Sequence, residues 1–62
     1  METKSKYKAT QIDYDTVDLI RRDADRYGLL WEVEATAVKY IKEDPSLNIS
    51  HAYSIAFQEW VK

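Results

Sequence analysis

The sequence predicts an all-α fold, a compact three-helix bundle with helices over about 15–27, 30–43 and 49–61. A flexible basic N-terminal arm over 1–11 is expected to precede a single domain over 12–62. Three observations carry this expectation. Apolar residues recur at spacings of three and four in three successive blocks, the period of an α-helix. The only glycine, Gly28, and the only proline, Pro45, fall where the first and second blocks stop. The chain of 62 residues has no cysteine, which excludes a disulfide scaffold and leaves helix packing to hold one small core.

The arm is read from Lys4, Lys6 and Lys8 standing against Glu2, with few large apolar groups among them. Tyr7 to Tyr14 alternate too poorly for a strand. In the first helix Val17, Ile20, Ala24 and Tyr27 share one face, and Asp13 or Asp15 can cap the start. Its outer face is laced with the pairs Asp18–Arg22, Arg21–Asp25 and Asp23–Arg26. Gly28 supplies the left-handed residue that ends a helix.

In the second helix Leu30, Val33, Ala37, Tyr40 and Ile41 form an inner stripe. Trp31, Ala35 and Val38 make a second apolar line beside it, so this helix reads as the central one. Pro45 disfavours helical geometry at Asp44 and ends the helix there. Asn48 or Ser50 caps the third helix, whose inner stripe is Ile49, Tyr53, Ala56 and Trp60, widened by Ala52 and Phe57. The aromatic rings are expected to supply most of the burial that offsets the ordering of so short a chain.

Composition excludes several function classes. The net charge of −2 argues against a protein that neutralises many phosphates. No apolar run approaches the length of a membrane span. No secretory signal is recognisable at the N-terminus, and with the missing cysteine this implies a cytoplasmic location. Asp13 and Asp15 open like a calcium loop, but Val17, Asp18 and Ala24 stand where such a loop needs an oxygen ligand, a glycine and a glutamate. His51 is the sole histidine and has no thiolate to share a metal with. No catalytic, cofactor-binding or metal-ligating residue is assigned, and none of these groups is expected as a partner.

The second and third helices do not make a convincing DNA reader. The exposed start of the third offers Ser50, His51 and Ser54 where arginine, lysine, asparagine or glutamine would be needed. Weak phosphate contact through Lys4, Lys6, Lys8, Arg21, Arg22 and Arg26 is the alternative reading. The favoured reading rests on rings. Three short helices can hardly enclose eight aromatic side chains, and surface tryptophan and tyrosine are enriched where proteins bind one another. Trp31, Tyr40, Phe57 and Trp60 are the candidate contact residues for a protein partner, a second copy of the chain included.

The stretch Tyr27-Gly28-Leu29-Leu30-Trp31-Glu32-Val33-Glu34, with His51-Ala52-Tyr53-Ser54-Ile55-Ala56-Phe57-Gln58-Glu59-Trp60, resembles small uncharacterised helical proteins of phages and prophages. That resemblance covers residues 27–60 and implies a viral or mobile-element accessory protein, with a host protein as its partner in the host cytoplasm. It implies no fixed activity.

Overall fold

A computed structural model describes residues 10–61, and within them three helices pack pairwise into an all-α bundle. They are α1 (Gln11–Arg26), α2 (Leu30–Glu43) and α3 (Ile49–Trp60). The arm expected over 1–11 lies outside the described residues except at its end, where the expectation is corrected. Thr10 is the N-cap of α1 and Gln11 its first residue, so the helix starts four positions before Asp15. The cause is a reciprocal capping box. Thr10 Oγ1 accepts from the Asp13 backbone N–H at 3.3 Å, and Asp13 Oδ2 accepts from the Thr10 N–H at 3.0 Å. The cap is therefore Thr10, neither Asp13 nor Asp15.

At its other end α1 stops at Arg26 rather than 27. The Leu29 N–H donates to the Ala24 carbonyl at 2.9 Å and the Gly28 N–H to the Asp25 carbonyl at 3.0 Å, the two bonds of a Schellman turn. Gly28 sits at φ +71°, where a Cβ would be strained, and Leu29 folds back onto the core. Tyr27, expected on the inner face, is instead the cap residue and is 62% exposed. The helix has ended under it, so its ring projects past the last packed turn.

The second helix has the expected bounds, with Asp44 as its C-cap. Asp44 Oδ1 then accepts from the Ser46 backbone N–H at 3.2 Å and from Ser46 Oγ at 2.6 Å, and the Leu47 N–H donates to the Asp44 carbonyl at 2.9 Å. This turn delivers the chain to Asn48, whose Oδ1 accepts from the Ser50 N–H at 2.8 Å and caps α3. Of the two caps the sequence allowed, Asn48 serves. Ser50 Oγ reaches Asp13 Oδ1 at 3.2 Å and ties the first turn of α3 to the first turn of α1.

The buried core is Val17, Ala24, Val33, Ala37, Ala52, Tyr53 and Ala56, with Ile20, Leu29, Tyr40, Ile41, Leu47, Ile49 and Phe57 packed partly buried around it. Two expectations are corrected here. The core is lined by alanine and valine, with Val33 the largest side chain wholly out of solvent, and Tyr53 is the one buried ring among the described residues. The other aromatics sit at the margins. The central helix is also α3 rather than α2, since α3 packs extensively on both neighbours while α1 and α2 touch least. Ala52 and Ala56 are the reason. A helix face without bulk lets two neighbours approach closely, whereas the extra apolar line of α2 faces outward.

Candidate interaction surface

The first turn of α2 sets the geometry. Val33 and Ala37 lie in the core with Leu29 packed against it, and Leu30, expected at the head of the inner stripe, is only half-buried. Trp31 is one residue further on, about 100° around the helix, and is 72% exposed. Ala35 and Val38 continue its line at four and seven residues, both on the exposed side. Glu32 and Lys39, also exposed, flank this line seven residues apart. The unpartnered face of α2 is thus one tryptophan, one alanine and one valine, closed at its C-terminal end by Lys42, with an acid and a base along its edge.

Trp60 is placed differently. It is 46% exposed, and its Nε1–H donates to Thr36 Oγ1 at 2.8 Å across the α2–α3 seam. Thr36 is five residues beyond Trp31, about 140° around α2, so the two tryptophans mark opposite flanks of that helix. Tyr40 joins Trp60 on the seam, its hydroxyl donating to Glu59 Oε2. That hydrogen bond, helped by desolvation and by the negative charges of Glu59 and Glu43, raises the Tyr40 pKa above the usual tyrosine value. Phe57 stands edge-on to Tyr27, ring centres 6.2 Å apart and planes at 62°. Of the four candidate rings the fold brings Tyr40 and Trp60 together, turns Phe57 toward the α1–α2 connection, and leaves Trp31 alone on a free face.

The arginines named for nucleic acid are each engaged with an acid. Arg22 Nη2 lies 3.1 Å from Asp18 Oδ2 and Arg26 Nη1 4.0 Å from Asp23 Oδ1, the expected pairs. Arg21 does not pair with Asp25. Its Nε lies 3.1 Å from Glu34 Oε1 on α2, because Arg21 flanks the inner stripe and faces the neighbouring helix. Tyr53 of α3 feels both groups. Burial raises its pKa first, Glu34 raises it further, and Arg21 opposes them, so one polar residue from each helix meets electrostatically. Arg21 thus links α1 to α2 through Glu34. Lys4, Lys6 and Lys8 lie outside the described residues.

Sequence reasoning passed over Ile12 and Leu19, which are 75% and 61% exposed. They stand seven residues apart on the side of α1 away from Val17 and Ala24, a spacing that could have marked a second apolar line. Among the described residues no three of histidine, cysteine, aspartate and glutamate are grouped to hold a metal ion. None of the helices is long and apolar enough to cross a membrane. This chain matches no family model, no curated protein and no solved structure.

Proposed function

We propose that this chain is a small non-catalytic interaction module that binds another protein through the aromatic side chains of α2 and α3, with Trp31 as the anchor. The observation that carries the reading is the exposure of Trp31 on the first turn of a well-packed helix. The Nε1–H of Trp60 is satisfied by Thr36, while that of Trp31 has no partner among the described residues. An indole so placed offers a partner roughly 150 Å² of ring surface and a free donor, an apolar gain of about 3–4 kcal/mol before the costs of association. The folded helix also holds the ring's backbone in place before binding, which lowers the ordering cost. Tyr40 and Trp60 sit on the other flank of α2, along its seam with α3, and Phe57 lies by Tyr27, all three less exposed than Trp31. If the resemblance to phage proteins extends to biology, the partner is a host protein and the chain an accessory that regulates it.

The test is capture from a crosslinked host lysate with tagged wild-type chain, Trp31→Ala and Leu19→Ala. A partner lost with Trp31→Ala and kept with Leu19→Ala, which alters the far side of the bundle, is the expected result. A partner retained at full strength by Trp31→Ala would overturn the reading. The alternative, weak nucleic-acid contact through the lysines and arginines, is disfavoured because Arg21, Arg22 and Arg26 all share acids.

A further inference from the structure

Resting on the reading of the Trp31 face as a binding surface, we infer that its partner is a second copy of this chain, docked antiparallel along α2 about a two-fold axis at Ala35. The inference comes from the distribution of size and charge on that face. Trp31 stands four residues before Ala35 and Val38 three after it, so an antiparallel copy centred there lays each indole over the partner's valine. Ala35 is exposed and small, which lets two helix axes approach at the crossing point.

Charge selects the direction. Glu32 lies three residues before Ala35 and Lys39 four after it, and their seven-residue separation puts both on the same flank of the helix. In an antiparallel pair the same flanks meet. Each Glu32 then faces the other copy's Lys39, and the two-fold makes the contact twice. All three positional pairs, Trp31 with Val38, Ala35 with itself and Glu32 with Lys39, centre within about one residue of the same point, about 1.5 Å along the helix. In a parallel two-fold pair unlike flanks meet, so Glu32 and Lys39 of one copy would lie on the opposite side from those of the other and the ion pairs would be lost. Within the chain Glu32 and Lys39 have no ion pair among the described residues, unlike Asp18, Asp23 and Glu34, so their charges are unspent in the single copy.

A single helix face per copy is smaller than the ~800 Å² a side of a standard interface, so the dimer is weak, with Kd on the order of 100 µM. Sedimentation velocity of the full chain over a range of about 5 µM to 1 mM reads it by mass action. The wild type is expected to pass from monomer to dimer over that range, and Trp31→Ala to stay monomeric. Charge variants test the register. Glu32→Lys and Lys39→Glu each place like charges at both contacts and should weaken self-association about tenfold or more. An equal mixture of the two puts lysine against glutamate at both contacts, so it should form heterodimers more tightly than either variant dimerises alone. The double variant should recover dimerisation. Circular dichroism confirms that these surface changes leave the helices intact, and Trp60→Phe leaves the Trp31 emission free to shift to the blue as dimer forms.

A wild type that stays monomeric throughout overturns the inference, and so does a mixture that associates no better than its components. Monomeric wild type together with Trp31-dependent capture of another protein would remove the second copy as partner while leaving the interaction module standing. Loss of Trp31 dependence in both assays would remove both.

Discussion

Replacing Gly28 by each enantiomer of alanine separates two effects that an ordinary substitution mixes. Gly28 sits at φ +71°, with nothing within 4 Å of an added L-Cβ, so no steric clash with the rest of the fold contributes. The L-residue must adopt a left-handed conformation, a strain of about 1–2 kcal/mol. Alanine also narrows the unfolded ensemble relative to glycine, which favours folding by about 0.4–1 kcal/mol. Gly28→Ala should therefore destabilise by about 1 kcal/mol, lowering Tm by roughly 4–8 °C in a domain this small. D-alanine has the mirror preference and meets no strain at positive φ. It keeps the unfolded-state benefit and should raise Tm by about 2–6 °C. The unfolded-state term is the same for both enantiomers, so their difference isolates the strain at the Schellman turn. A chain of this length is accessible to total synthesis, and thermal unfolding followed by far-UV circular dichroism at low concentration supplies the measurement. Equal stability of the two alanine forms, or a D-form less stable than the L-form, would refute the assignment of Gly28 as a left-handed cap.

Thr10→Ala removes the Oγ1 acceptor of the Asp13 N–H while leaving the backbone N–H of residue 10 on Asp13 Oδ2, and should cost about 1 kcal/mol, read by denaturant unfolding, while Thr10→Ser should recover most of it. Ala37→Leu forces extra methylenes into a fully buried site and should destabilise by about 1–3 kcal/mol, whereas Leu19→Ser on the exposed face should stay within about 0.5 kcal/mol of wild type. Tyr40 and Tyr53 both hold their protons more tightly folded than unfolded. Their contribution is present in full below the unfolded pKa near 10 and is lost as pH rises through the higher folded values. Denaturant titrations from about pH 9 to 11 should therefore show stability falling faster in wild type than in Tyr53→Phe, and parallel curves would show that Tyr53 ionises alike in both states.

The two later helices were legible because their boundaries are written in single residues: Gly28 in the turn before α2, Pro45 after it, Asn48 ahead of α3. The start of α1 was not. Its signal is Thr10-x-x-Asp13, a capping box with aspartate in place of the commoner glutamate, standing next to a lysine-rich stretch that reads as tail. Periodicity found most of the inward stripes of α2 and α3, though it placed inside Trp60, which is 46% exposed at the end of α3, and Leu30, which does not pack on the core, and it could not rank the helices. The breadth of an apolar arc measures how much a helix could bury, and the small size of Ala52 and Ala56 decides which helix two others can reach. Trp31 was separable from the core by counting, since the stripe through Leu30, Val33 and Ala37 closes without it. The partners of Tyr40 and Trp60, 19 and 24 residues away in sequence, depend on how α2 and α3 cross and could not be counted. Arg21 shows the same limit. Its i,i+4 neighbour Asp25 was visible, and Glu34, on another helix, was not.

The alanine-lined core also fixes the shape of the protein's response to temperature. The heat capacity of unfolding scales with the apolar surface newly exposed to water. Here Val33 is the largest side chain wholly out of solvent, and four rings are already wetted in the native state. The heat-capacity increment should be small even for a chain of this length, so the stability curve is shallow. Its enthalpy then changes slowly between the cold and the melting point. Cooling takes little stability away from such a fold, because so little of it rests on the hydration of large hydrocarbon groups.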